Sequence, residues 1–432
     1  MSKQMADSWP IIEHRESLTD PVRDELATRG TPPQLNEIRR LFPPMTGDPA
    51  FDPALISKRV EALITVPEVN TGDAYLDQSV KTGLVFIDAT FDGDHPKYGV
   101  KHYADERHDG FVPTIVAAID ALTAWGLCGR AATLFTYWLD TFVKQNGTVR
   151  YYGTAISEYG QLLHTATLLY ERGGRAPWWN SGKGALTRMA DYLLDLNAQA
   201  AAKSDLIPGI PEADISKADP NNLSDAAHSE ANRYFHNNAW VVRGLTRWAA
   251  LMEATGTSGA HAPSQIRAQA QNLERRTLAA IDQTWPSDPD AWWFSPQVEP
   301  CPPPENLTAS TVASYTNYRY WPELLSSGLL PARLAHRIVN ARLSTGGQFC
   351  GMTRFCERVD DWPLADYLYG LWQLGRKNDF LLSLFGHAAY NQAEGHLTAY
   401  EQITLPPMTE MAPYCLPCQL VVARAARLLV SN

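Results

Sequence analysis

From about residue 75 onward the chain repeats one theme: twelve apolar stretches at helical spacing, each closed by Gly, Pro or Asn. They fall at 75–86, 111–126, 129–145, 155–172, 182–200, 236–254, 263–283, 314–327, 331–343, 362–375, 377–391 and 414–429. The connections alternate in length. Tight ones, such as "GLCGR" from 126 and "GRK" from 375, join antiparallel neighbours. Long polar ones cover 92–110, 201–235, 284–313, 344–361 and 392–413. No strand series alternates with the helices, so a doubly wound sheet is not expected, and β-like stretches such as "TVRYYGT" stand in loops. Six helical hairpins with short turns at one end and long loops at the other suit an all-α toroidal (α/α)6 barrel. Its inner helices would be apolar all round, as "VPTIVAAIDALTAW" and "LADYLYGLW" are. Residues 1–72 are rich in Pro, Asp and Arg, with one helical stretch, "PALISKRVEALITV". They are expected to form an extension packing on a barrel made by residues 73–432.

Composition narrows the function classes. Hydrophobic residues make up 45% of the chain, enough for a large core, and the net charge is −10. No Lys/Arg run is present, which argues against a nucleic-acid or anionic-membrane partner. No apolar run approaches the ~18 residues of a membrane span. The opening "MSKQMADSWPIIEHRESLTD" has no apolar leader core, so a cytoplasmic location is expected. No GxxxxGK[ST] or GxGxxG opens a helix after a strand, so nucleotide chemistry is unsupported.

Polar residues concentrate in five clusters, each just before or opening an apolar helix. They are "YADERHDGFVP" (103–113), "YYGTAISEYGQ" (151–161), "IPGIPEADI" with "HSEANRYFHNNAW" (207–240), "TRFCERVDDWP" (353–363) and "EGHLTAYEQ" (394–402). In a barrel those helix starts face one central cavity, and each cluster has a plainer reading as turn, cap or solvated loop. Arg107, His108 and Asp109 combine hydroxyl-binding groups with the residues of a turn and cap. Tyr152 and Glu158 stand at the start of one helix, and His236, Asn237 and Trp240 open another, with Asn237 or Asn238 a natural N-cap. Arg354, Asp360, Asp361 and Trp362 precede a further helix, where Asp followed by Pro is also ordinary capping chemistry. His387 precedes the last loop and Tyr400 stands within it. Paired carboxylates around a pocket suggest glycosidic bond cleavage, one donating a proton to the leaving oxygen and the other activating water or attacking.

The stretch "GLWQLGRKNDFLLSLFGHAAYNQAEGHLTAYEQ" resembles the last hairpin and loop of the six-hairpin glycosidase superfamily, whose barrel architecture matches roughly residues 75–430. The resemblance implies an inverting glycoside hydrolase acting on an oligosaccharide or glycoside, with Glu401 of "AYEQ" as the general base. The family's acid is a mid-chain Asp or Glu, which here leaves Asp214, Glu212 and Glu230 open, with Asp214 or Glu212 preferred and Asp361 nearby. The chemistry requires no metal or organic cofactor.

Two other enzyme readings stay open. Sugar epimerases and polysaccharide lyases use the same barrel and abstract protons with His or Tyr, and His102, His108, His164, His236, His387 and His396 are available. Cys350, Cys356, Cys415 and Cys418 form two close pairs, as in the zinc- and cysteine-dependent arabinofuranosidases of that superfamily; the plainer reading is buried apolar thiols. An isoprenoid cyclase is disfavoured, because "VDDWPLAD" fits neither a DDxxD nor a DxDD spacing.

Overall fold

The computed structural model describes residues 69–173, 177–219, 228–393, 397–404 and 413–430. Nearly all of the expected N-terminal extension, together with Glu394 and His396, lies outside the described residues.

Each of the twelve sequence-predicted segments contains a helix or a broken helix. In chain order these are α1 (Ala74–Thr90), α2 (Val112–Ala124), α3 (Cys128–Phe142), α4 (Ile156–Gly173), α5 (Trp178–Ala201), α6 (Phe235–Thr255) and α7 (Pro263–Thr284). Then come α8 (Thr311–Tyr315), a π turn (Thr316–Tyr320) and α9 (Trp321–Ser327), which share one axis position, and α10 (Ala332–Ser344). Last are α11 (Leu364–Gln373), α12 (Lys377–Gly386) with a π turn (His387–Asn391), and the broken run α13 (Leu416–Gln419), α14 (Val421–Ala425) and α15 (Arg427–Val430). The break ahead of α9 has a local cause. Pro322 has no N–H to complete the α-helical ladder, so the preceding turn widens to π.

Burial separates the helices into two layers. Every residue of α2 except Asp120 is buried. By contrast α7 buries Ile266, Ala270, Leu273, Thr277 and Ile281, a single stripe at helical spacing. The buried helices pack in sequence around a closed ring: α2 on α4, α4 on α6, α6 on α9, α9 on α11, α11 on α14, and α14 back on α2. Outer helices cover them, so the fold is an all-α (α/α)6 toroid. Among the described residues, no helix is long and apolar enough to cross a membrane.

The long connections 344–361 and 392–413 differ from expectation: together they carry a small antiparallel sheet. Its strands are β1 (Gln348–Phe349), β2 (Met352–Phe355), β3 (Arg358–Asp360) and β4 (Gln402–Thr404), in that order. Two tight hairpin turns produce it. Cys350 (φ 49°) and Gly351 (φ 82°) join β1 to β2, and Cys356 (φ 51°) begins the turn from β2 to β3. Positive φ at both central residues suits the twist of a two-residue hairpin. The six-residue spacing of these cysteines is thus the spacing of two successive turns.

Inside the ring α4 and α6 approach closely where Gly160 and Gly244 face each other. A Cβ on Gly160 would collide with the Trp240 carbonyl, and one on Gly244 with the Gly160 backbone. Gly160→Ala is therefore expected to destabilise the fold by ~1–3 kcal/mol through overpacking. Gly129→Ala, where a Cβ meets nothing within 4 Å, should be neutral or stabilising; denaturant unfolding of the two variants checks this.

Candidate active site

The long-loop end of the barrel brings together segments far apart in sequence. Gly99 bridges Cys415, Tyr400 bridges Tyr414, and the Leu416 N–H donates to the Tyr98 carbonyl at 2.7 Å. This stitching sets Glu401 beside two phenols: the Tyr98 hydroxyl donates to one carboxylate oxygen and the Tyr103 hydroxyl to the other. Burial pushes Glu401 up to about 7, against the pull of these two hydrogen bonds and with help from the nearby Asp214 and Glu212 charges.

The loop carrying Glu212 and Asp214 is fastened by two asparagines of α6. Asn238 accepts from the Ile207 N–H (3.0 Å) and donates to its carbonyl (3.0 Å). Asn237 donates to the Ile210 carbonyl (3.1 Å) and accepts from the Ser157 N–H (3.0 Å). Both lie within the helix, whose N-cap is Tyr234, so they anchor the loop rather than cap the helix. Glu212 caps a 3-10 turn (Ala213–Ile215). Asp214, on that turn, accepts from the Tyr315 hydroxyl at 2.6 Å. Burial pushes Asp214 up to about 6, reinforced by Glu212 and by a side-chain hydrogen bond with Asp219. A hydrogen bond between two carboxyl groups requires a proton on one of them.

Beneath this lies Arg319, fully buried on the π turn. Its guanidinium donates to Glu158 (2.6 Å), Glu323 (2.6 Å) and Glu212, and lies 5.2 Å from the Trp362 ring centre. Three carboxylates exceed what one cation neutralises, and burial holds Glu158 up at about 8, largely protonated at neutral pH.

Strand alternation separates the adjacent Asp360 and Asp361. Asp360 pairs with Gln402 across β3 and β4, and Gln402 donates to its Oδ2 at 2.7 Å. Its other oxygen, Oδ1, is buried without a hydrogen-bond partner, and burial and Glu401 raise the Asp360 pKa. Asp361 turns the other way, accepting from the Thr353 N–H (2.8 Å) and facing His387 Nδ1 (3.0 Å). The expectation that Asp361 belongs with the acid and base is therefore not met by its position: it braces the sheet against α12.

A cavity of about 160 Å³ opens between these groups. Glu212, Asp214, Asp360 and Glu401 line it with His108, Gln402, Trp362 and a wall of aromatics: Tyr98, Tyr103, Phe111, Tyr151, Tyr152, Tyr315, Tyr318 and Phe355. A second cavity of about 200 Å³ lies behind Trp362 among the inner helices. Its Asp120 is paired with Arg424 (2.9 Å) and its Asp366 accepts from Ser326 (2.8 Å). Burial raises Asp366 to about 6 there as well, but the front cavity gathers three raised carboxylates, Asp214, Asp360 and Glu401, on separate elements, so it is the candidate active site.

Of the sequence-predicted residues, Glu401, Asp214, Glu212, His108, Tyr152, Asp360 and Trp362 line this cavity. The others do not. Arg107 and Asp109 line an adjoining open groove, where Asp109 is held by Lys97 (2.9 Å) and His95 (2.6 Å). Glu158 is committed to Arg319, and Arg354 donates to the Gly346 carbonyl at 3.1 Å. His236 stacks on Tyr320, and Trp240 donates to the Glu323 carbonyl at 2.9 Å. The Tyr400 carbonyl accepts from Cys418 at 2.9 Å, and its half-buried ring packs on the main core. Glu230 pairs with Lys217 at 3.4 Å, largely in solvent. Among the described residues, no three His, Cys, Asp or Glu side chains are grouped to hold a metal. Cys350 and Cys356 sit in separate turns, away from the Cys415–Cys418 pair.

Sequence reasoning missed Tyr98, Tyr315, Tyr318 and Arg319. The signal for Arg319 was present: a lone arginine inside "SYTNYRYWPELL" has to find buried partners. The tyrosines carried no comparable mark.

No family model matches the sequence, and no curated protein is significantly similar to it. Solved structures do share the fold. A glycosidase variant aligns at a TM-score of 0.58 with 12% identity, over 83% of this chain and 97% of that one. A Streptococcus pneumoniae structure from a family of metal-independent α-mannosidases, in a non-productive complex with α-1,6-mannobiose, aligns at 0.53 with 9% identity, over 88% and 97%. Cellobiose 2-epimerase from Bacillus thermoamylovorans aligns at 0.53 with 9% identity, over 88% and 98%. The chain thus shares the (α/α)6 barrel fold of these structures.

Replacing Arg319 by Met would strand Glu158, Glu212 and Glu323. The expected loss is ~3–5 kcal/mol. Unpaired buried carboxylates have a folded pKa raised above the unfolded one, so the stability they contribute is present at low pH and lost as pH rises. The deficit of Arg319→Met should therefore be smaller at mildly acidic than at mildly alkaline pH, as read by denaturant unfolding at both.

Proposed function

We propose that the protein is a glycoside hydrolase that cleaves a glycosidic bond in this cavity with inversion, Glu401 acting as general base and Asp214 as general acid. The observation that carries the reading is the pair of buried carboxylates in one small cavity, each raised toward neutrality yet differently hydrogen-bonded. Glu401 takes two phenol donors, an arrangement that suits a carboxylate. Asp214 takes a single phenol donor, Tyr315, and lies beside Glu212 and Asp219, whose charges favour its protonated form. The fold's other occupants support a sugar substrate, since the structures that share it include glycosidases, a mannobiose complex and a sugar epimerase. The aromatic wall supplies stacking faces for a pyranose.

In the proposed step, water attacks the anomeric carbon while its proton passes to Glu401. The bond from that carbon to the leaving oxygen breaks, and the Asp214 proton goes to that oxygen. Glu212, held by Arg319, stays fixed at the cavity floor as a hydroxyl acceptor. Asp360 and Trp362 orient the ring.

One observation favours the epimerase or lyase reading: His108 lines the cavity, its ring centre 5.7 Å from those of both Tyr98 and Tyr103. Against it, burial and the neighbouring Glu401 raise the pKa of both tyrosines, which keeps them as phenols. His95, His164, His228, His236, His261, His336 and His387 lie outside the cavity lining.

Two outcomes test the assignment. Below about 6 both carboxylates are protonated and the base is lost; above about 7 both are ionised and the proton is lost. Between them the proton rests mostly on Glu401, so the productive form, ionised Glu401 with protonated Asp214, is the minor one of the pair. Activity should follow a bell with its maximum between those values, and a pH–rate profile that stays flat across this range would contradict the pairing. Separately, Asp214→Asn should lose ~10²-fold or more on an unactivated oligosaccharide, but far less on an aryl glycoside whose leaving group needs no proton. Glu401→Gln should lose a similar factor on both substrates. The reverse pattern would exchange the two roles.

A further inference from the structure

The cavity is acidic, and no cation stands in its described lining. Four carboxylates line it, and no lysine or arginine does so among the described residues. Arg319 beneath it is already shared among three glutamates. Arg358 and Arg107, both exposed, touch the lining residues Gln402 (2.7 Å) and His108 (3.5 Å) without lining the cavity themselves. The cation-bearing groove containing Lys97, Lys144 and Arg150 lies on the far side of Tyr151 and Tyr152, which line both spaces. One acceptor in the cavity wall is also unsatisfied: Asp360 Oδ1 is buried and partnerless, while Oδ2 is held by Gln402. A buried acceptor without a partner carries a desolvation cost that a ligand donor would relieve.

We propose that this cavity selects non-anionic sugars, taking a hexose or, at least as well, a hexosamine. Asp360 sets that preference by accepting a hydrogen bond from a ring hydroxyl or ammonium. Hexuronates and sugar phosphates are excluded, because their charge would be desolvated beside Glu212 and Glu401 with no lysine or arginine in the described lining to meet it. The proposal rests on the hydrolase reading of the same cavity but does not require turnover to be tested.

The experiment is calorimetric binding of hexosamines, hexoses and hexuronates of gluco, galacto and manno configuration. It uses the full chain carrying Glu401→Gln, so that nothing is consumed, with wild type beside it at neutral pH, where the hexosamine is still largely an ammonium. The best hexosamine or hexose should bind wild type about 100-fold or more tighter than the matching hexuronate. Asp360→Asn should cut hexosamine affinity at least ~10-fold relative to the hexose, with thermal unfolding confirming that the variant is folded. A hexuronate that binds as tightly as its hexose overturns the selectivity. An unchanged hexosamine-to-hexose ratio in Asp360→Asn overturns the role of Asp360. Binding of none of the sugars overturns both this proposal and the hydrolase reading, whereas sugar binding without cleavage of any glycoside by wild type would overturn the hydrolase reading alone.

Discussion

The buried guanidinium of Arg319 is the interaction on which the front of the barrel depends. It joins Glu158 at the start of α4, Glu212 on the 207–216 loop and Glu323 on α9, and it lies over Trp362 ahead of α11. Four separate parts of the ring are thereby fixed to one planar group. Removing a charge of this kind strands its partners in a medium where an unpaired carboxylate is costly, so the arrangement forms as a whole. It also shapes the chemistry. With one cation for three carboxylates, the neighbourhood stays electron-rich, and burial raises Glu158, Asp214 and Glu401 together.

The scaffold around this cluster is ordinary barrel packing. Apolar inner helices close a ring, and the Gly160–Gly244 approach lets α4 and α6 come close enough to hold the asparagines of α6 against the 207–210 backbone. That contact positions Asp214. On the opposite wall, strand pairing between β3 and β4 positions Asp360, and the bridges of residues 99 and 400 to 414–415 position Glu401. The two carboxylates assigned to catalysis thus sit on elements tied to different parts of the ring, with Arg319 and Trp362 between them at the floor.

The barrel was legible in the sequence because helical periodicity and the alternation of short and long connections are local properties. Glu401, Asp214 and Glu212 were legible as candidates because carboxylates in polar loops stand out in an apolar chain. The sheet was not. It arises from two hairpin turns that place Cys350 and Cys356 at positive φ, a conformation no composition rule assigns to cysteine. The contrast between Asp360 and Asp361 also escaped, since it follows from strand alternation in a segment expected to be loop. Tyr98 and Tyr315 were invisible for another reason. Their roles come from contacts with Glu401 and Asp214 across 303 and 101 residues of sequence, and tyrosine in such chains is most often simply packed.

The central claim is that this cavity adds water across a glycosidic bond. The most direct measurement is to run the reaction in heavy-oxygen water on an oligosaccharide panel and follow the products by mass spectrometry and proton NMR. The account predicts that the newly formed reducing end carries the heavy oxygen, that the first-formed anomer is inverted, and that Glu401→Gln abolishes both signals. An unsaturated product, or a sugar epimerised at carbon without heavy-oxygen incorporation, would contradict it.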